Sequence, residues 1–125
     1  MHRSRIAVAL IDHPNQTYDA AAAFWEAALG VTAAPQEEGP YASLARLDGV
    51  ALELQRTGGD TQPRVHLDIE TDDVAAEVER LVRLGARVVE DRGDYAVMRD
   101  PGELVFCVVP VWTPDFDRYA ARRAP

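Results

Sequence analysis

RVHLDIETDDVAAEVERLVRLGARVV, residues 64–89, holds in order a strand, a helix start, a helix stop and a second strand. In its first six residues Arg64, His66 and Asp68 alternate with Val65, Leu67 and Ile69, the period of two of a strand. Thr71 or Asp72 offers a capping oxygen, and Val74, Val78, Leu81 and Val82 then fall on one helical stripe. Gly85 supplies the left-handed stop, after which ARVVE reads as a further strand.

The same programme lies upstream. RIAVALI (5–11) is an apolar strand, and TYDAAAAFWEAALG a helix capped by Thr17 and ended by Gly30. Its expected inner face is Ala21, Phe24, Trp25, Ala28 and Leu29. YASLARL and VALELQ form a hairpin across Asp48-Gly49, and RTGGDTQP (56–63) is a linker. Downstream, DYAVMR and LVFCVV are strands around the turn Asp100-Pro101-Gly102. Two modules result, 5–55 and 64–109, inside one domain of residues 1–125, with a tail at 110–125. Their helix stops, Gly30 and Gly85, lie 55 residues apart, which marks a pseudo-symmetric pair rather than a solenoid. The tail's Trp112, Phe116 and Tyr119 can pack over the domain, a cleft or a second subunit.

A net charge of -8 argues against nucleic acid or an anionic membrane as the main partner. The lone Cys107 excludes an intramolecular disulfide and fits a reducing compartment. With no signal peptide or membrane span to be read, the expectation is a cytoplasmic protein.

Each strand has two faces. Ile6, Val8, Leu10, Leu52, Leu54, Val65, Leu67, Ile69, Leu104, Phe106 and Val108 form the list expected under the helices. Ala7, Ala9, Ile11, Ala51, Glu53, Gln55, Arg64, His66, Asp68, Val105, Cys107 and Val109 form the other. That second face is either the wet side of a sheet or the wall of a cavity. Strands apolar on both faces favour the cavity.

AAFWEAALGV (22–31), LELQ (52–55), the stretch 64–89 and RDPGELVFCVV (99–109) give the chain its resemblance to the glyoxalase/bleomycin-resistance group, the vicinal oxygen chelate superfamily. The resemblance implies an α+β fold: two βαβββ modules forming an eight-stranded half-open barrel, as a homodimer. It also implies a divalent metal (Zn, Fe, Mn or Ni) held from the first, fourth, fifth and eighth strands. Glu53 and His66 stand in two of those slots, and the repeat places Cys107 in a third. The first-strand slot falls among Ala7, Ala9 and Ile11, none of them a ligand, unless a slipped register brings Asp12 or His13 in. Metal is therefore not the preferred reading; if present, its ligands are Glu53, His66 and Cys107.

Without metal, Glu53 and His66 can act as an acid/base pair on a small, fairly apolar organic molecule, as in a lyase or isomerase. Tyr41, Ser43, Gln55, Tyr95, Cys107 and Trp112 are expected to line its site, with Arg64 and Asp68 as a supporting ion pair. The alternatives are a non-catalytic protein sequestering an antibiotic-like molecule and a metal-dependent enzyme of the superfamily.

Overall fold

A computed structural model describes residues 1–37, 39–59 and 61–124; Asp60 of the linker and Pro125 of the tail lie outside the described residues. The chain forms two compact units, Val8–Val65 and Met1–Ala7 with His66–Pro125. Each contains one βαβββ module, so the fold is α+β.

The first module uses β1 (Arg3–His13, from Val8 onward), α1 (Asn15–Leu29), β2 (Ala34–Pro35), β3 (Tyr41–Leu47) and β4 (Val50–Arg56). Their order is β2-β3-β4-β1, with β1 parallel to β4 and the other pairs antiparallel. Asp48 and Gly49 join β3 to β4 with φ of 51° and 88°, the double positive φ of a tight hairpin turn. Thr17 does not cap α1. Pro14 occupies the cap position without a side-chain bond, and the Thr17 hydroxyl instead lies 3.0 Å from Nδ1 of His13. Proline's fixed φ already suits helix entry, so the helix starts earlier than the threonine suggested. Gly30 ends it with φ 67° and ψ 37°.

Two facing assignments need correction in this module. Tyr18, Ala22 and Trp25, at i, i+4 and i+7, pack on Ala42, Leu44 and Leu54, whereas Phe24 is 61% exposed and Ala28 and Leu29 are also exposed. The stripe is thus turned by one residue, with Phe24 standing edge-on to Trp25 at 5.2 Å. On β1, Ile11 pairs with Leu54 and joins the cluster under α1, while Leu10 pairs with Glu53 and Asp12 with Gln55. Register partners in neighbouring strands point to the same side. The face carrying Glu53 therefore presents Val8, Leu10 and Asp12, not Ala7, Ala9 and Ile11.

The second module holds β5 (Arg64–Thr71, from His66 onward), α2 (Val74–Arg83), β6 (Arg87–Asp91), β7 (Ala96–Arg99) and β8 (Val105–Pro110). The order β5-β8-β7-β6 is parallel only at β5/β8. Asp73, not Thr71 or Asp72, caps α2, accepting from the Ala76 amide at 3.0 Å. Thr71 is occupied elsewhere, donating to the Arg3 carbonyl at 2.8 Å, and Asp72 accepts from the Arg3 amide at 2.8 Å. Val74, Val78 and Leu81 pack with Ile69 and Ala86 on Ala96, Met98, Phe106 and Val108.

Val82 is exposed, and the inward position of α2 goes instead to Glu77, which is fully buried. Its carboxylate lies 2.7 Å from Nε2 of His2 and accepts from Arg80 at 2.7 and 2.9 Å. Ile6, Val65 and Leu104 are likewise exposed rather than beneath a helix, Leu104 because it precedes β8.

The tail forms α3 (Phe116–Tyr119) and β9 (Ala121–Arg122), and β9 pairs with the start of β1. Phe116 is buried under the Arg3 guanidinium at 5.1 Å; Arg5 stacks on Tyr119 at 5.0 Å and reaches Asp115 at 3.2 Å. Trp112 is 51% exposed. Among the described residues no helix is long and apolar enough to cross a membrane.

Candidate functional site

Alternation along β5 puts His66, Asp68 and Glu70 on the side away from α2, since Ile69 faces the helix. Parallel pairing places Cys107 of β8 beside Asp68, and antiparallel pairing places Val97 of β7 beside Cys107. One donor atom each from His66, Asp68 and Cys107 lies within 4.8 Å of the others. His66 is only 7% exposed, and its Nε2 stands 3.6 Å from Oδ1 of Asp68. Val105 and Val109 share this face by the same alternation, and half-buried Tyr95 leads into β7 on it. The opposite face carries an apolar recess of about 160 Å³ lined by Ile6, Leu67, Ile69, Asp100, Leu104 and Phe106.

Glu70 continues the His66–Asp68 series but has a different task. Fully buried, it accepts from the amides of Trp112 (2.9 Å) and Thr113 (2.8 Å) and from the Thr113 hydroxyl (2.6 Å), fixing the start of the tail. Trp112 is thus positioned through its backbone while its ring stays half in solvent.

The remaining expected site residues belong to the first module. Glu53 is buried on β4, with Ser43 of β3 and Leu10 of β1 as its register partners. Gln55 donates to the Tyr41 hydroxyl at 3.4 Å, and exposed Ser43 accepts from Gln36 at 3.3 Å. Arg64 lies 3.5 Å from Asp12, and within the second module the charged neighbour of Asp68 is His66. Asp12, which the sequence admitted only through a slipped register of the first strand, is a buried carboxylate on the Glu53 face. An apolar run on both faces of β1 gave no signal to fix its side, although Asp12 itself stood in view.

A divalent metal, which the resemblance implies, finds a fitting donor set in the second module. The imidazole, carboxylate and thiol side chains from two adjacent strands would supply three protein ligands to such an ion. His66 and Cys107 were expected in such a set; Asp68 was not.

No curated protein matches the chain in sequence. Its fold is shared with a hypothetical protein from Bacillus halodurans, at TM-score 0.64 and 11% identity, covering 88% of this chain and 96% of that one. A Legionella pneumophila protein described as an NAD-dependent benzaldehyde dehydrogenase aligns at TM-score 0.62 and 12% identity over 84% of this chain and 98% of that one. A glyoxalase/bleomycin resistance protein/dioxygenase superfamily member from Vibrio splendidus aligns at TM-score 0.50 and 16% identity, covering 89% and 100%. These likenesses concern the fold alone. The family model of the glyoxalase-like domain matches residues 9–109, both modules in their order. The chain belongs to the glyoxalase-like domain family of the vicinal oxygen chelate superfamily.

Proposed function

We propose that the protein binds a small, fairly apolar organic molecule against the His66 face of its second module and acts on it as a lyase or isomerase. The observation that carries this reading is the imidazole of His66, shielded from solvent and 3.6 Å from the Asp68 carboxylate. An imidazole so placed can take a proton from carbon next to a carbonyl and return it elsewhere. The Asp68 charge favours the imidazolium formed on the way. Val97, Val105 and Val109 around the polar group suit a ligand that is apolar over most of its surface. Within the first module by itself, Glu53 and Asp12 are the buried carboxylates that could serve acid–base chemistry. A divalent metal held by His66, Asp68 and Cys107 would polarise a substrate carbonyl as a Lewis acid.

The test is a thermal-shift screen against metabolites and antibiotics, followed by mass analysis of each stabilising compound after incubation in deuterated water. A stabilising compound that is converted or takes up deuterium with the native chain, and does neither with His66→Gln, supports the reading. A compound bound equally by both and recovered unchanged from both makes the chain a sequestering protein and overturns it.

A further inference from the structure

We propose that the molecule bound on the His66 face is an organic acid, its carboxylate taken by the guanidinium of Arg92 in the β6–β7 hairpin and its carbonyl end lying at His66. This rests on the function proposed above and narrows it to a class of molecule.

Strand pairing places the arginine. Asp68, Cys107, Val97 and Glu90 are successive register partners across β5, β8, β7 and β6, so their side chains share one side of the sheet. Two residues beyond Glu90, Arg92 donates its amide to the Tyr95 carbonyl at 2.9 Å, which extends the same pairing and puts Arg92 beside Tyr95 on that side. Asp91, the partner of the core residue Ala96, turns to the other. The row from Asp68 to Glu90 crosses three strand spacings of about 4.8 Å each. Arg92 and His66 therefore stand at opposite ends of a strip whose middle is Val97, Cys107, Val109 and Tyr95, all half-buried. Such a strip matches a carboxylate at one end, an apolar body of several carbons, and a carbonyl at the other end.

Electrostatics selects Arg92 among the arginines of this face. Arg99 and Arg87 continue the row of Val105 but are turned to the β7–β8 connection. Arg99 donates to the Glu103 carbonyl at 2.7 Å, and Arg87 to the Glu103 carboxylate at 2.6 Å. Among the described residues the Arg92 side chain bonds only to Glu90, from Nε at 2.9 Å. That leaves both η-nitrogens, the end of the fork that grips a carboxylate with two parallel bonds. The bond and charge of Glu90 raise the guanidinium above its ordinary value, and Tyr95 and Cys107 add to this, so its charge reaches back across β7 to the sulfur beside Asp68. An exposed Arg–Glu pair contributes little to stability, so a ligand carboxylate can share the guanidinium at small cost.

Ligand-observed NMR on the full chain tests this with methyl-ketone acids of increasing spacer, acetoacetate, levulinate and their longer homologues, each beside its methyl ester. At least one longer homologue is expected to bind about tenfold more tightly than its ester. Arg92→Gln should remove that difference and leave ester binding unchanged. Glu90→Gln, which frees the guanidinium from a competing carboxylate, should tighten acid binding about threefold. Opposite signs are a result that a merely structural Arg92–Glu90 pair would not give, since losing either partner would then act alike. Unchanged melting of both variants shows that the fold persists. Acids and esters bound alike, no acid bound, or acid affinity unchanged in Arg92→Gln overturns the inference. A neutral compound converted by the native chain and by Arg92→Gln, but not by His66→Gln, would sink this inference and leave the proposed function standing. An acid held through Arg92 but recovered with no deuterium would do the reverse.

Discussion

Glu77→Gln should destabilise the protein at neutral pH and lose that effect in acid. Burial alone would raise the Glu77 carboxyl, but hydrogen bonds from Arg80, His2 and Ser4 outweigh it and hold it at about 2, against an ordinary 4.5. A depressed folded value gives stability that is present above the unfolded value and disappears as pH falls through the folded one. At about 1.4 kcal/mol per unit, the full shift amounts to about 3 kcal/mol. The Arg80 side chain is partly exposed, and screening trims this to about 2 kcal/mol. The amide keeps the shape and removes the charge, so the variant should unfold at about 1 M less urea at pH 7. The gap should close between roughly pH 4.5 and 2, because the native carboxyl then protonates too. Asp72 and Glu103 also have lowered values, but they are present in both chains and cancel in the difference. Urea titrations followed by far-UV circular dichroism at pH 7, 4.5 and 3 provide the comparison. A gap that stays constant down to pH 3 would refute the charge argument and leave packing as the cause.

Two further substitutions probe the same module, and a third in α1 serves as the comparison. Glu70→Ala strands three donors at Trp112 and Thr113, the two of Thr113 buried, with an expected loss of about 3 kcal/mol. Amide hydrogen exchange should show those two residues deprotected; unchanged protection would mean that Glu70 does not hold the tail. Asp73→Ala removes the α2 cap and should lower stability by about 1 kcal/mol in a chemical melt, whereas Thr17→Ala, with no cap to lose, should cost α1 far less.

The modules were legible in the sequence because each boundary had a local chemical cause: a glycine at both helix stops, Asp48-Gly49 in the hairpin, alternation in β5. Facing was legible only where the two sides differ. In RVHLDI every second residue is polar, so the two faces can be told apart, and Ile69 does lie under α2, although Val65 is exposed and His66 on the other face is buried. In IAVALID both sides are apolar, so a shift of one residue costs little and only pairing with β4 decides it. That pairing moves Ile11 beneath α1 and brings Asp12 onto the Glu53 face. On the helices, an apolar count misjudged Phe24 and Val82, because long-range partners set which side turns inward. Glu77 takes an inward place only because His2, seventy-five positions earlier, and Arg80 satisfy it.

The buried acids of the second module fall into two kinds, and the distinction says which to expect at work. Glu70 is saturated by two amides and a hydroxyl; Glu77 is held by an arginine and a histidine. Each has spent its acceptor capacity on fixed donors, and protonating or displacing either would leave those donors unsatisfied. Such groups stabilise a fold and resist chemistry. Asp68 stands on the same face as Glu70, two residues earlier, yet faces an imidazole at a distance beyond hydrogen bonding, with a thiol from the next strand beside it. Its acceptor capacity remains available to a proton-carrying imidazole or to a cation. Among these three acids, Asp68 is the one whose acceptor capacity the fold leaves open.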